Sequence, residues 1–402
     1  MSKRANYKLL KSIYLDYHAT TPADSRVANL ILHYMTEEFG NANSIDHAIG
    51  DHAEAAMQGA TRHVANLVGA FPRDIIFTSG STEGINLAIQ GTVNSLALLS
   101  RFERGIGGES KPRIAISTVE HKAVLDTCEV LRKQGRIDLV TISVDSQARI
   151  DLAQLEKTCA SGIHLLCVMA ANNEVGTIYP IEKISAIAQS YNVPFFCDAT
   201  QAVGKIPIHF QDWGITLLAL SAHKLYGPKG VGALVVRKGY PLEPLFYGGG
   251  QQRGLRPGTL NVPGIVGLGE ACRLRQLEMA DDEPAIAAKR DRLQAHLVKA
   301  IPGLVINGDT HNRLAGNLHI SVPDVPNSAV IARVRHQLAI STGSACSSGV
   351  ETPSHVLTAM GLPEDVIEGS LRISLGKFAT DDEIEEAASI LISTVSKIRE
   401  LL

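Results

Sequence analysis

The sequence predicts an α/β fold with two domains, a large domain built on a mostly parallel β-sheet between helices and a smaller α+β domain. The first observation is length, since 402 residues exceed the usual size of one hydrophobic core. The second is that short apolar runs without polar alternation recur between longer segments of helical periodicity, which is typical of parallel strands buried on both faces. The third is a change of pattern near residue 260, where a long helical region follows the Gly-rich stretch 247–258.

The predicted strands of the large domain are short apolar segments rich in β-branched residues. They are residues 75–78, 113–117, 165–169, 194–197, 217–221 and 232–236. Between them we predict helices, among them one from Ser81 towards Leu99 and one that begins after Asp151, a residue type that caps helix N-termini. The segment from Arg101 to Lys111 carries three glycines and several charges and is predicted to be a loop.

The smaller domain is predicted from the alternation of helices and strands after residue 260. The predicted helices are 264–300, 329–337 and 381–401, and the predicted strands are 318–322 and 371–375.

Composition indicates a soluble globular protein, with 45% apolar and 20% charged residues. A formal net charge of −3 gives no electrostatic reason to expect nucleic acid as a partner. The sequence has neither eighteen consecutive apolar residues nor an apolar core of signal-peptide length near its basic N-terminus. We therefore expect a cytoplasmic protein with no membrane partner.

The six cysteines show neither a C-x-x-C pair nor clustered histidines, so no metal site is expected. Five of them lie in apolar or helical runs, where cysteine behaves as a small buried hydrophobe. Cys346 differs because residues 341–349 are small and polar, which favours an exposed loop.

The segment 221–230, which contains Lys224, follows directly on the apolar strand 217–220. Ligands of open α/β sheets gather at the carboxyl ends of strands. A partly desolvated amine there has a lowered pKa and can form a Schiff base. A lone lysine is more often a surface residue, and Lys229, inside a Gly-Pro-Lys-Gly turn, is expected to be one.

Two further segments end predicted strands with polar residues. Asp198 closes the strand 194–197 and could keep a pyridine-type ring nitrogen protonated, although an Asp in this position more often caps a helix. In the segment 77–84, a strand turns through Gly80 into a helix whose free N–H groups suit a phosphate. A plain capping turn would have a similar sequence, and the Gly-Lys-Ser/Thr ending of a Walker loop is missing.

Together these segments resemble the pyridoxal-phosphate (PLP) enzymes of the class V aminotransferase group and, within it, the cysteine desulfurases. The resemblance runs almost end to end. Its segments are YLDYHATTP (14–22), GNANS (40–44), SGSTE (79–83), EHKAVL (120–125), NNEVG (172–176), FFCDATQ (195–201), SAHKLYGPKG (221–230), GGGQQRGLRPGT (248–259), SACSS (344–348) and LRISLG (371–376). It implies a fold type I PLP enzyme with a seven-stranded sheet. The large cofactor-binding domain would span 16–260, and residues 1–15 and 261–402 would form the small domain with the Cys346 loop.

The resemblance also implies a role for each matching residue. Lys224 would carry the cofactor, Asp198 would face its pyridine nitrogen and Gln201 its ring hydroxyl, while His121 would stack on the ring and move protons. The cofactor phosphate would be held by Ser81, Thr82, Ser221 and His223, with Thr259 from a second subunit, which implies a homodimer. Asn173 and Arg372 would bind the substrate carboxylate. The catalytic residues would be Lys224, Cys346 and His121.

The implied activity is PLP-dependent desulfuration of L-cysteine, which gives L-alanine and a persulfide on Cys346 for a sulfur-acceptor protein. The persulfide would feed iron–sulfur cluster or thio-cofactor biosynthesis. A selenocysteine lyase or another class V enzyme would share Lys224, Asp198 and Arg372, although Cys346 argues against an aminotransferase. A non-catalytic sulfur carrier or scaffold is a more distant alternative, and a cluster scaffold would need grouped thiolates that the sequence lacks.

Overall fold

The structure is a computed structural model that describes residues 12–104, 111–343 and 353–401, with the side chains of 100–104 left out. The strands in these ranges are β1 Ile13–Tyr14, β2 Ile75–Thr78, β3 Arg113–Ser117, β4 Asp138–Ile142, β5 Leu165–Cys167, β6 Phe195–Asp198, β7 Leu217–Ser221, β8 Gly232–Val236, β9 Val305–Ile306, β10 Asn317–Ser321, β11 Leu338–Ala339 and β12 Ser370–Ser374. The α-helices are α1 Ser25–Thr36, α2 Ala48–Val68, α3 Ser81–Arg104, α4 Lys122–Lys133, α5 Leu152–Ala160, α6 Ile181–Ser190, α7 Val262–Ala300, α8 Asn327–Val334, α9 His355–Ala359, α10 Glu364–Glu368 and α11 Asp381–Arg399. Short 3₁₀ turns span Pro72–Asp74, Ala222–Lys224 and Gln252–Gly254.

The main sheet has seven strands in the order β2-β8-β7-β6-β5-β3-β4. Strands β3 to β7 are mutually parallel along this order, and β8 is antiparallel to both of its neighbours. The predicted α/β fold with a mostly parallel sheet is confirmed. The predicted strands match to within two residues, but β4 was not among them. It lies at the sheet edge with Asp138 and Thr141 exposed, so it lacks the continuous apolar run of a doubly buried strand.

The apolar runs of the central strands are explained by burial on both faces of the sheet. Phe195 and Leu218 pack into one core, whereas their neighbours Phe196 and Leu217 pack into a second core on the opposite face. All four side chains are at most 1% exposed. Because successive strand residues point to opposite faces, a strand covered on both sides is apolar along its length, and polar residues such as Asp198 and Ser221 come only at its end.

A third core lies beneath the antiparallel sheet β12-β10-β9 and helices α7, α8 and α11. Ile13 and Leu15 pack into this core, and β1 pairs with β11 in parallel. These contacts attach the start of the described chain to its C-terminal part. The division into domains at 16–260 stays a prediction.

The predicted loop from Arg101 to Lys111 is wrong at its start, because α3 continues to Arg104. The first glycine of this stretch is at position 105, and the residues before it include good helix formers. Residues 105–110 lie outside the described residues. The predicted cap at Asp151 is confirmed, since its Oδ1 accepts a hydrogen bond of 2.9 Å from the Gln154 N–H. In the described ranges, no helix combines the length and apolar character needed to span a bilayer.

Candidate active site

The candidate site lies along one edge of the main sheet, where the carboxyl ends of β2, β3, β5, β6 and β7 meet. Strand β2 runs in the same direction as β7, because both are antiparallel to β8. Asp198 closes β6, Ser221 closes β7 and Lys224 ends the 3₁₀ turn that follows β7. This edge is where an open α/β sheet binds its ligands.

The Lys224 amine is held against the loop that precedes α1. Its Nζ donates hydrogen bonds to the carbonyl oxygens of His18 and Ala19, the latter at 2.7 Å. The same His18 carbonyl accepts a hydrogen bond of 2.9 Å from Nε2 of Gln201, which is buried. Lys224 and Gln201 are therefore neighbours in the fold.

Desolvation is the main cause of a lowered pKa at Lys224, which falls to about 7. The positive charges of Lys205 and Arg372 lower it further, while Asp16 and Asp198 oppose the shift. With this pKa, roughly half of the amine is neutral near pH 7 and can act as a nucleophile.

Asp198 is only 4% exposed and lies within the electrostatic reach of Lys224. Its Oδ1 accepts hydrogen bonds from the Thr200 N–H at 3.0 Å and from the Thr200 hydroxyl. Residues 200–206 form turns and an isolated bridge instead of a helix, so Asp198 does not serve as a helix cap. A buried carboxylate beside a lysine of lowered pKa is a common feature of functional sites.

His121 caps the N-terminus of α4, and its Nδ1 accepts a hydrogen bond of 3.1 Å from the Ala123 N–H. The ring still contacts solvent, yet the surrounding protein lowers its pKa by desolvation. Asp198 opposes this shift, while Lys224 and His355 add to it. The imidazole is therefore neutral near pH 7.

The turn before α3 lies beside Ser221. Gly80 has φ of 157°, and a Cβ added there would lie 3.8 Å from Ser221 Oγ. Ser81 is the first residue of the 24-residue helix α3, and Thr82 follows it. The first N–H groups of a helix have no partner within the helix and attract anions, so this turn and Ser221 together suit a phosphate.

His223 lies next to Lys224, and its Nδ1 is 3.2 Å from the Thr20 hydroxyl oxygen. Burial and the nearby lysines 224, 229 and 205 lower its pKa to about 4, so the ring is neutral near pH 7. Thr259 follows shortly after Arg256, whose Nε donates a hydrogen bond to Glu83 in the first turn of α3. It is exposed and lines a cavity of about 300 Å³ with Tyr34, Met35 and Phe39.

Arg372 reaches the site from β12. Its Nη1 donates to the carbonyl oxygen of Asn173 at 3.1 Å and its Nη2 to Oδ1 of Asp16 at 3.0 Å. Its Nε is buried and has no hydrogen-bond partner among the residues that the structure describes. A buried guanidinium with an unused donor suits an anionic ligand such as a carboxylate.

Cys346 lies outside the described residues, but both flanks of its segment are described. On one side, the backbone of Ser341 exchanges two hydrogen bonds with that of Arg372, at 3.2 and 2.7 Å. On the other, Ser354 Oγ donates to Oε2 of Glu174, the residue after Asn173. Both flanks therefore lie at residues of the candidate site.

The other five cysteines are buried, as the sequence predicted. Burial raises the pKa of their thiols, to about 11 for Cys159 and about 12 for Cys128. None of these five is suited to act as a thiolate at neutral pH.

The structure adds Lys205, Glu120 and His355, to which sequence reasoning gave no role. Lys205 Nζ donates to Gln201 Oε1 at 2.8 Å, and a lysine inside the apolar run 202–208 is the signal that could have revealed it. Glu120 is fully buried with a pKa raised to about 8, mainly by desolvation. His355 Nε2 lies 3.0 Å from the Glu120 carbonyl oxygen, a contact across 235 positions that no local pattern predicts.

Comparison with known proteins gives one consistent picture. Residues 13–386 match the family model Aminotransferase class-V. The chain is 42% identical over 391 residues to "Cysteine desulfurase IscS" of Anaeromyxobacter sp. (strain Fw109-5), which covers 97% of this chain and 94% of the relative. A solved structure titled "NIFS-LIKE PROTEIN" has a TM-score of 0.86 and 34% identity, over 96% of this chain and 99% of the other. Another, titled "SspA in complex with cysteine", has a TM-score of 0.78 and 34% identity, over 92% and 100% of the two chains.

Proposed function

Because the chain belongs to the class V aminotransferase family, we propose that its site carries out the reaction for which its relatives are named. The protein is a PLP-dependent cysteine desulfurase. The observation that supports this site assignment most directly is the Lys224 amine, with its pKa lowered to about 7, within the field of the buried Asp198.

The residues of the site fit PLP group by group. Lys224 supplies the amine for a covalent link, Asp198 the acid for a pyridine nitrogen and His121 an imidazole ring. The unpaired donors at the start of α3, with Ser221, suit the phosphate. When bound, PLP supplies an electron sink that stabilises negative charge on the carbon next to the substrate amine. The proposed cofactor-binding residues are Lys224, Asp198, Gln201, His121, Ser81, Thr82, Ser221, His223 and, from a second subunit, Thr259.

Arg372 and Asn173 are the proposed binding residues for the carboxylate of L-cysteine. The buried Nε of Arg372 gains a partner when an anion binds, which removes the cost of an unsatisfied donor. Asp16 and the Asn173 carbonyl hold the two terminal nitrogens and thereby fix the plane of the guanidinium. The substrate is therefore oriented before its sulfur reacts.

Lys224 and His121 are the proposed carriers of protons. A lysine with a pKa near 7 takes up and releases a proton with little cost at neutral pH. His121 accepts the Ala123 N–H at Nδ1, so its Nε2 carries the ring proton and points away from α4.

Cys346 is the proposed sulfur acceptor. Its thiolate attacks the sulfur of the bound L-cysteine, and an S–S bond forms as the substrate C–S bond breaks. The electron pair stays on the carbon skeleton and is protonated, which gives L-alanine and a persulfide on Cys346. The raised thiol pKa of the five buried cysteines supports this assignment, as do the contacts of Ser341 with Arg372 and of Ser354 with Glu174.

A homodimer is proposed because Thr259 is exposed beside apolar side chains. Met35 and Phe39 line the same cavity and are 63% and 69% exposed. Exposed apolar groups of this size indicate a protein interface. In such a dimer, Thr259 would complete the phosphate site of the partner subunit.

The proposed physiological role is delivery of sulfur to an acceptor protein for iron–sulfur cluster or thio-cofactor biosynthesis. Selenocysteine lyase activity is the alternative within the family. One experiment separates these functions from that of a scaffold: incubation of the purified protein with L-cysteine or L-selenocysteine and a thiol. A desulfurase releases alanine and sulfide in equal amounts from L-cysteine, whereas a scaffold releases neither.

A further inference from the structure

Lys205 is a half-buried lysine whose amine contacts Gln201 of the candidate site. It lies within the apolar run 202–208, and burial lowers its pKa, although the carboxylate of Glu283 opposes the shift. Its Nζ donates a hydrogen bond of 2.8 Å to Oε1 of Gln201. A lysine in such a position is costly unless its charge and its donors are used.

The carboxylate that acts on Lys205 is that of Glu283, which belongs to a hydrogen-bonded network on α7. Arg275, whose side chain is 1% exposed, donates to the Gly204 carbonyl and to Glu283 at 2.7 Å each, and it also pairs with Asp282. Burial raises the pKa of Glu283, and the positive charges of Arg275 and Lys205 partly oppose this rise. The network therefore fixes Lys205 through its immediate neighbour Gly204.

Lys205 determines which end of the Gln201 amide faces the site. An ammonium group has only donors, so the amide oxygen must point towards Lys205 and the NH₂ group away from it. That NH₂ group donates one hydrogen bond to the His18 carbonyl, which also accepts from Lys224. Gln201 therefore offers the site a donor, which suits the ring oxygen of the cofactor.

Lys205 also acts on Lys224 through its charge. Gln201 joins the two lysines, because its amide contacts Lys205 at one end and, at the other, the His18 carbonyl that also accepts from Lys224. The positive charge of Lys205, like that of Arg372, lowers the pKa of Lys224. The nearby imidazoles of His18, His121 and His223 all have lowered pKa values and are neutral near pH 7, so they do not offset this charge. The groups that act on Lys205 itself are Glu283, Arg275 and Arg372.

We propose that Lys205 is a positioning residue for the reaction. Its amine orients the Gln201 amide so that the NH₂ group faces the site, and its positive charge acts on the nitrogen of Lys224 across the Gln201 amide and the His18 carbonyl. The inference rests on the proposed covalent link between Lys224 and PLP. The charge disfavours protonation of the linked nitrogen, so its removal raises the pH at which that nitrogen titrates.

The test is a pH titration of the visible absorbance of the holoenzyme. Lys205→Met should move the spectral midpoint upwards by about one pH unit, which is a tenfold change in the protonation equilibrium. Lys205→Arg, which keeps the charge, should titrate like the wild type. Lys229→Met is the matched control, since it removes an exposed lysine that also acts on His223. A midpoint in Lys205→Met equal to that of the wild type would overturn the inference.

Two further experiments cover the cases in which Lys205→Met does not fold or the wild type shows no cofactor absorbance. If Lys205→Met does not fold, Lys205→Met combined with Glu283→Gln removes both partners of the buried pair and should still shift the midpoint upwards. If the wild type shows no visible absorbance band, the proposed cofactor link fails. The inference is then tested on the cofactor-free chain by the pH dependence of acetic anhydride labelling at Lys224, measured by mass spectrometry. An unchanged labelling midpoint in Lys205→Met would overturn it there as well.

Discussion

Ser354 Oγ donates a hydrogen bond of 2.5 Å to Oε2 of Glu174, and it ties the chain that follows the Cys346 segment to the neighbour of Asn173. Ser354 also caps α9 by accepting a hydrogen bond from the Leu357 N–H. The described flank of the proposed nucleophile is thus attached directly to the proposed substrate site.

Ser354→Ala removes this attachment and should slow sulfide release at least several-fold without loss of the cofactor. The lost bond and cap together are worth about 1–3 kcal/mol, enough to change the position of the flank without unfolding the protein. Ser354→Thr keeps the hydroxyl and is the matched control. Turnover with L-cysteine and visible absorbance are measured in parallel. Equal turnover in the Ala and Thr variants would mean that the contact does not position the segment.

Lys224→Ala should remove the covalent link to PLP and abolish activity, since no other amine is held at this edge of the sheet by the His18 and Ala19 carbonyls in the described ranges. Borohydride reduction of the wild type followed by peptide mapping should label Lys224. The control is Lys229→Ala, which should keep the link. Labelling at Lys229 or another lysine would refute the assignment.

Thr259 should contribute to the site of the partner subunit, because on its own subunit it lines a cavity with Met35 and Phe39. Mixed dimers of Lys224→Ala and Thr259→Ala subunits test this directly. If the sites are shared, each mixed dimer contains one site with both native residues, and activity rises on mixing. If Thr259 serves its own subunit, no native site forms and mixing changes nothing.

Glu120 should make the protein less stable as the pH rises. Desolvation and the charge of Asp198 raise its pKa to about 8 from an ordinary value of 4.5. A carboxyl group whose pKa is higher in the folded than in the unfolded state stabilises the fold when the pH lies below the unfolded-state pKa. This contribution is lost as the pH rises towards 8. Between pH 5 and 8, the wild type should lose about 3 kcal/mol relative to Glu120→Gln, which cannot ionise. Urea unfolding at both pH values measures the difference, and parallel pH profiles would contradict it.

The sequence predicted the central strands well because each is buried on both faces, so residues such as Phe195 and Phe196 had to be apolar together. Strand β4 was not predicted because it lies at the edge of the sheet, where Asp138 and Thr141 are exposed. The helix α3 was expected to end near Leu99, but the glycine that would stop it comes only at position 105. Local signals thus described the core better than the edges.

At the site, the positions of Lys224 and Asp198 at the ends of strands could be predicted, because the local sequence reveals where an apolar strand ends. The orientation of the Gln201 amide could not be predicted, because it depends on the amine of Lys205 in the folded turn. The contact of His355 with the Glu120 carbonyl joins two distant parts of the chain, so only the folded structure reveals it.

The most direct test of the account is the mass of the protein after brief incubation with L-cysteine without added thiol. The wild type should gain one sulfur atom on Cys346, located by peptide mapping, with one L-alanine released for each persulfide. Cys346→Ala should keep the visible absorbance of bound PLP but gain no sulfur, whereas Cys159→Ala, which removes a buried thiol, should behave as the wild type. Sulfide release from Cys346→Ala at the wild-type rate would contradict the persulfide mechanism.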